Sequence, residues 1–227
     1  MKKILVIGAH PDDEILGCGG TIRRLINEGN EAYSLILSDG TTSRYDKMTE
    51  QVSEDVKVRL QQSQLAAKVI GYKKVFFCRF ADNSFDKERL LDIVKTIEKY
   101  ILLLEPSIIF THHYGDLNID HQITLEAVQT ATRPMINCPV KEIYCFETFS
   151  ATEWNFIGKE KFEPNYFVNI EETLKDKLKA MQCYQSELRD YPHPRSLEGL
   201  EIAAKRWGII TGCNCAEAFE LIRKIVI

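Results

Sequence analysis

The sequence predicts an α/β fold built on a mostly parallel, doubly wound central sheet. Three observations predict it. Short β-branched runs alternate with amphipathic helical patterns along most of the chain. Polar and charged residues gather directly after the first, third, fourth and fifth of those runs, where an open parallel sheet presents its carboxyl edge. From about residue 155 the alternation breaks, and the last third reads as a C-terminal helical elaboration.

The elements follow in order. Lys3-Ile4-Leu5-Val6-Ile7-Gly8 is a buried strand. Glycines 17, 19 and 20 precede a helix from Thr21, whose Ile22, Leu25 and Ile26 share one face, ending at Gly29. Ala32–Leu37 is the second strand and Ser38-Asp39-Gly40 its exit turn, which completes a βαβ unit. Residues 41–53 are polar and aperiodic and read as a loop over the sheet edge. Val52 to Ile70 spaces as a helix, with Gly71 as its C-cap. Lys74–Cys78 is the third strand, and residues 79–84 form its exit loop. Lys87 to Leu104 is an amphipathic helix that Pro106 terminates. Ser107–Thr111 is the fourth strand, followed by a polar stretch to His121 and a helix to about Ala131. Lys141–Phe146 is the fifth strand. Beyond it come an edge strand near Pro164–Ile170, a helix to about Leu188, a loop to Ser196 and a helix from Leu197 to Gly208. Ala216–Glu220 then precedes a final apolar run. No repeat or linker divides the chain, so residues 1–227 read as a single domain.

Composition narrows the function classes. An apolar content of 44% with 27% charged residues is that of an ordinary globular protein. A net charge of −4 gives no case for nucleic acid, which favours clustered basic surface. No apolar run approaches the roughly 20 residues of an integral membrane segment. Met1-Lys2-Lys3 leads straight into the first strand and does not resemble a signal peptide. The seven scattered cysteines then read as reduced thiols of a cytoplasmic protein. Cys213-Asn214-Cys215 lacks a second pair and reads as packing or capping rather than a zinc site.

The chemistry concentrates after the first strand, in Ala9-His10-Pro11-Asp12-Asp13-Glu14. A dinucleotide site would need G-x-G-x-x-G there; the glycines come too late, and adjacent carboxylates would repel a pyrophosphate. A histidine and an aspartate three residues apart can instead point nitrogen and oxygen donors at one cation, a set that suits zinc or a related divalent transition metal. His121, beyond the fourth strand, is the best third ligand. Of Asp12 and Asp13, one can bind metal while the other takes a proton from the metal-bound water. Acids at this position could also simply cap the following helix. A cap explains neither His10 nor the second His/Asp cluster at Asn118-Ile119-Asp120-His121.

The six-residue stretch resembles the AHPDDE signature of the LmbE-like/PIG-L superfamily of zinc-dependent N-deacetylases. The resemblance continues in order through Ser38-Asp39-Gly40, the Arg59 helix, Asp82, Asn118–His121 and Ala216–Phe219. It implies a Rossmann-like three-layer fold and removal of the acetyl group from an N-acetylated amino sugar, such as N-acetylglucosamine, or its conjugate; a nucleotide- or lipid-phosphate-linked conjugate is the reading that His193 and Arg195 motivate. It implies zinc ligation by His10, Asp13 and His121, with Asp12 as general base activating the attacking water. Arg59 and Asp82 match positions that contact the substrate's polar groups in relatives. The resemblance also implies a homo-oligomer, although no interface is legible. Many relatives carry a histidine where this chain has Asn118, which can donate to an oxyanion but cannot be a general acid. Asp12 recycled, or His193, must then protonate the leaving amine. Asp120 would orient a neighbouring ligand. Of His112 and His113, one points into the site and the other packs. Arg195, with His193, suits an anionic group on the substrate. Two alternatives keep parts of this reading: an amidase of the thiol-conjugate type acting on another amide, and a non-catalytic sugar-binding module.

Overall fold

The computed structural model describes residues 1–157 and 160–226. Its architecture starts from the alternation inside β1 (Lys3–Gly8). Successive side chains of a strand leave opposite faces. Ile4 and Val6 enter one apolar core, Leu5 and Ile7 another. A strand that fills two cores cannot alternate apolar with polar residues, so it reads as a continuous apolar run.

The chain continues through α1 (Asp13–Asn27), β2 (Glu31–Ser38), α2 (Glu50–Ile70), β3 (Lys74–Phe80), α3 (Leu90–Leu104), β4 (Ile108–His112) and α4 (Ile119–Ala131). It ends with β5 (Glu142–Phe146), β6 (Tyr166–Asn169), α5 (Leu174–Gln182), α6 (Leu197–Thr211) and β7 (Ala216–Lys224). The sheet order is β3-β2-β1-β4-β5-β7-β6. Strands β1 to β5 pair in parallel, and β7 runs antiparallel between β5 and β6. Helices α1, α2, α5 and α6 cover one face; α3 and α4 cover the other. The three layers are those of the expected α/β class. After β3 the chain returns to the far side of β1, so the strand order reverses between β1 and β4. Ligand crevices open at such a switch point, beyond the carboxyl ends of the strands. No described helix is long and apolar enough to cross a membrane.

Three expectations are corrected. Helix α1 begins at Asp13, not near Thr21, and bends at Cys18 (φ −146°, ψ 15°). Its glycines weaken the helical signal, but packing requires two of them: a β-carbon on Gly17 would lie 2.2 Å from the Phe146 ring and one on Gly20 2.9 Å from the Ile170 side chain. Helix α2 begins at Glu50, inside the stretch read as loop, with the Thr49 hydroxyl accepting from Val52 N. The C-terminal third is not only helical, since Ala216–Lys224 forms a strand inside the sheet. That strand also resolves the bend in α1. Gly20 N and Thr21 N donate to the Glu217 carboxylate at 3.0 and 2.7 Å, and Lys177 Nζ donates to Leu16 O at 2.7 Å. Lys177 and Glu217 pair at 2.6 Å. The broken helical turn therefore leaves none of these groups unsatisfied.

Candidate active site

The loop after β1 carries His10 and Asp12, and α1 opens with Asp13 and Glu14. Ala9 N donates to His112 Nε2 at 3.0 Å, which ties this loop to the end of β4. Asp12 occupies the N-cap of α1 with φ 112° and ψ −27°, a left-handed conformation that non-glycine residues rarely adopt. An N-cap aspartate ordinarily spends its side chain on the helix amides. The Asp12 side chain makes no capping bond. Its carboxylate lines a cavity of about 250 Å³ together with His10, Asp13 and His121.

Asp13 Oδ2 lies 3.6 Å from His10 Nδ1 and 3.6 Å from His121 Nε2, and the two imidazole nitrogens are 3.3 Å apart. Donors around a tetrahedral zinc, each about 2.0–2.1 Å from the ion, stand roughly 3.3–3.4 Å from one another. The triangle therefore fits a tetrahedral ion with one position left open. The other ring nitrogens are held from behind. His10 Nε2 faces Asp120 Oδ2 at 3.1 Å and Asp82 Oδ1 at 3.2 Å. His121 Nδ1 lies 3.1 Å from Asp116 Oδ1, a polar contact off the line of a straight hydrogen bond. These carboxylates favour the tautomers that turn the lone pairs of His10 and His121 toward the triangle. Burial alone would lower the His10 pKa, but Asp120, Asp13 and Asp82 outweigh it and raise it well above the usual histidine range. The pocket floor thus favours positive charge.

Asp12 sits in a different field. Burial pushes its carboxyl up to about 6, against the opposing pull of Arg195 and Arg59. Its Oδ2 lies 3.1 Å from Arg195 Nη1 and 3.5 Å from Arg59 Nη2. Glu14 is fully buried and raised to about 7 by desolvation, with the Tyr184 hydroxyl pulling the other way. Glu14 Oε2 accepts from Asp12 N at 3.0 Å, and Oε1 accepts from Tyr184 Oη.

The model for the PIG-L family, described as GlcNAc-PI de-N-acetylase, matches residues 5–132, more than half of the chain. The chain belongs to the PIG-L family. A diacetylchitobiose deacetylase from Thermococcus kodakarensis is 29% identical over 98% of this chain and 84% of its own length. Among solved structures, N,N'-diacetylchitobiose deacetylase from Pyrococcus horikoshii matches with a TM-score of 0.74 at 23% identity, over 98% of this chain and 84% of that one. The hydratase GalB from Pseudomonas putida matches with a TM-score of 0.77 at 19% identity, over 100% of this chain and 98% of that one. At these identities the structural matches concern the fold alone, and one fold serves both a deacetylase and a hydratase.

Within this PIG-L chain the remaining expected residues fall as follows. Asp120 spends Oδ2 on His10 and Oδ1 on Phe85 N (2.9 Å). Asp82 lines the pocket, but its oxygens go to His10 and to Ser43 N (3.0 Å) rather than standing free for a substrate. Asn118 caps α4: its Oδ1 accepts from Asp120 N, and its Nδ2 donates to Asn83 Oδ1 at 2.9 Å. Arg59 is buried, not a surface helix residue. His193 is not on the pocket wall; its Nδ1 accepts from Arg195 N at 3.1 Å, and its ring meets Trp154 edge-on. His112 stacks on His121 with centroids 3.9 Å apart, and burial with the nearby His121 lowers its pKa to about 4. His113 turns away, with Nδ1 facing Glu220 at 3.1 Å.

Three site residues are missing from the set read in the sequence: Asp116, which stands behind His121, and Glu187 and Arg44 at the pocket wall. Glu187 gathers Arg59 (2.7 Å), Arg44 (2.8 Å) and Arg195 (3.3 Å) at the pocket wall. Nothing in the spacing of Ser186-Glu187-Leu188 marks that acid as buried among arginines. Arg44 lies in the stretch read as a loop over the sheet edge, the one signal that could have pointed to it.

Proposed function

We propose that this protein is a zinc-dependent N-deacetylase that releases acetate from an N-acetylated amino sugar or its conjugate. One observation carries the reading: the Asp12 carboxylate shares a pocket with a triangle of His10, Asp13 and His121 donors spaced for a tetrahedral ion. Two imidazoles and one carboxylate suit zinc, or a related transition ion, better than calcium or magnesium. An ion held by these residues would supply a Lewis acid for the acetamide carbonyl and lower the pKa of a water toward neutrality.

The chain's own groups then divide the proton work. Asp12, with its pKa near 6, is mostly ionised at neutral pH and takes the proton of the attacking water. Asn118 stands on the pocket wall with a second Nδ2 hydrogen beyond the one given to Asn83, and it donates to the developing oxyanion. As the C–N bond breaks, Asp12 returns its proton to the nitrogen, and acetate and a free amine leave. The position of His193 behind Arg195 supports Asp12 in this second step. Residues 1–227 act as one deacetylase domain in this reading.

Substrate choice follows from the arginines. Arg44, Arg59 and Arg195 line the pocket against two partner carboxylates, Asp12 and Glu187. Arg44 spends one donor on Glu187 and stays half exposed. The other carboxylates of the lining, Asp13 and Asp82, are turned to His10. On the arginine wall three guanidinium groups therefore meet two carboxylates, and this local excess favours an acetamido sugar bearing an anionic group such as a phosphate.

Acetate release from free, nucleotide-linked and lipid-linked N-acetyl sugars, before and after chelation and zinc return, tests the function. Release that chelation abolishes and zinc restores supports it. No acetate from any of them with metal-loaded protein overturns it, and a different amide product replaces it with an amidase.

A further inference from the structure

The reading of Asp12 as the base raises the question of what holds that residue in a left-handed conformation with its carboxylate free. The backbone at Asp12 does the work of a helix N-cap, since its carbonyl accepts from Ile15 N at 3.0 Å and Leu16 N at 2.9 Å. Its side chain is not needed for the cap and makes no capping bond. Strain of this kind persists only where the surroundings over-determine it. The atom that fixes the amide side is Glu14 Oε2, 3.0 Å from Asp12 N. Glu14 has 0% exposure, so a carboxyl group without partners there would be costly. Its second oxygen takes the Tyr184 hydroxyl, which arrives from 170 residues away beyond the end of α5. Tyr184 is also fully buried, and the Arg59 guanidinium lies over its ring at 5.4 Å. The same arginine reaches the Asp12 carboxylate. Asp12 is thus gripped at its amide through Glu14 and at its carboxylate through Arg59, and both grips lean on Tyr184.

We propose that Glu14 and Tyr184 are positioning residues: they hold the Asp12 backbone in its left-handed turn so that the carboxylate enters the pocket rather than capping α1. The pair touches no substrate. It sets the orientation of the base, and it gives the last residue of the opening motif a task distinct from metal binding. The proposal rests on the reading of Asp12 above, and its tests are chosen to separate the two.

Glu14→Leu keeps the volume but removes the acceptor. Glu14→Gln keeps an acceptor for Asp12 N and turns its amide hydrogens to the Tyr184 oxygen. Tyr184→Phe removes one hydroxyl only. Expected are a fall in kcat of about tenfold or more in Glu14→Leu, with KM and bound zinc within about twofold, and recovery of most of that loss in Glu14→Gln. Tyr184→Phe should lose roughly threefold to tenfold in kcat with KM unchanged. Equal impairment of Glu14→Leu and Glu14→Gln overturns the proposal, because charge rather than the bond to Asp12 N would then matter. Wild-type kcat in Tyr184→Phe overturns it as well, including when Glu14→Leu does not fold. A crystal structure of Glu14→Leu or, if that variant does not fold, of Tyr184→Phe tests the geometry without any activity. The Asp12 turn is expected to leave its left-handed conformation or its carboxylate to move off Arg195, and an unchanged Asp12 overturns the proposal. If the unaltered protein releases no acetate from any amide, the function fails while this structural arm still decides the positioning.

Discussion

His10 Nε2 stands 3.1 Å from Asp120 Oδ2, while the opposite nitrogen of the same ring faces His121 Nε2 across 3.3 Å. The carboxylate accepts a hydrogen from one side of the imidazole and so leaves a lone pair on the other. Asp120→Asn can donate its amide hydrogen to Nε2 and move the ring proton to Nδ1, where a metal would have to displace it. Zinc affinity should fall roughly 10–100-fold, as loss of such an orienting partner does elsewhere. Competition with a chromophoric chelator reads this directly, and an unchanged affinity would remove Asp120 from the orienting role.

The pH dependence of turnover should carry an acidic limb. Asp12 must be ionised to take a proton, and burial sets its pKa to about 6. Rates should therefore rise with pH through that value and level off above it. Asp12→Asn should lose activity by at least about a hundredfold, the scale of a general base. A pH–rate profile of kcat/KM without an acidic limb would contradict the role.

Glu14 predicts a stability effect of opposite sense to that of an ion-paired acid. Burial raises its pKa from 4.5 to about 7. The folded state then binds more protons than the unfolded state between those values. Stability from this group is complete below pH 4.5 and is lost as pH rises through about 7, by about 3 kcal/mol at most. Urea unfolding of Glu14→Gln should show a weaker decline with rising pH across this window than the wild type. Parallel declines in the two proteins would show that Glu14 is not the titrating group.

Two salt bridges of α5 should differ sharply in worth. Lys177 and Glu217 are both buried and also satisfy the bend in α1, whereas Arg23 and Asp176 pair at 3.1 Å with both side chains about one-third exposed. Lys177→Met strands a buried carboxylate and should cost about 3–5 kcal/mol. Asp176→Ala should cost less than about 1 kcal/mol. Denaturant midpoints decide between them, and equal losses would refute the contrast.

Arg44 offers a test of substrate class that does not touch Asp12. Arg44→Ala should raise KM for a phosphorylated N-acetyl sugar by about tenfold, the worth of one charge-assisted hydrogen bond, and barely change it for the neutral sugar. Arg195→Ala should show the same bias on top of a fall in kcat, because Arg195 also holds Asp12. Equal effects on both sugars would argue against an anionic subsite.

Residue type and strand-end position pointed to His10, His121 and one of Asp12 and Asp13 as candidate donors, because metal donors are chemically rare at the end of a buried strand; the choice of Asp13 came from the family resemblance. The doubly wound sheet was legible for a related reason: strands that fill two cores announce themselves as continuous apolar runs. The start of α1 was not, since Gly17 answers to Phe146 and Gly20 to Ile170, contacts that propensity cannot see. Nor was β7, whose alternation is blurred because its first five residues are buried on both faces. Glu187, Tyr184 and the Lys177–Glu217 pair were invisible because each draws its meaning from partners far along the chain. In the sequence they are an ordinary acid, tyrosine and lysine; only the fold makes them a wall, a brace and a cap.

The bend in α1 has a consequence for how the molecule is made. Gly20 must wait for Glu217, 197 residues downstream, before its amide finds a partner. During synthesis the helix that presents Asp13 would emerge early, and its bend would lack the Glu217 partner until β7 is made and pairs with β5 and β6. A nascent chain halted before that strand would expose both flanking strand edges and a loose, bent helix together. Quality-control chaperones recognise such surfaces, and catalytic competence would come last in biogenesis although its signature is translated first.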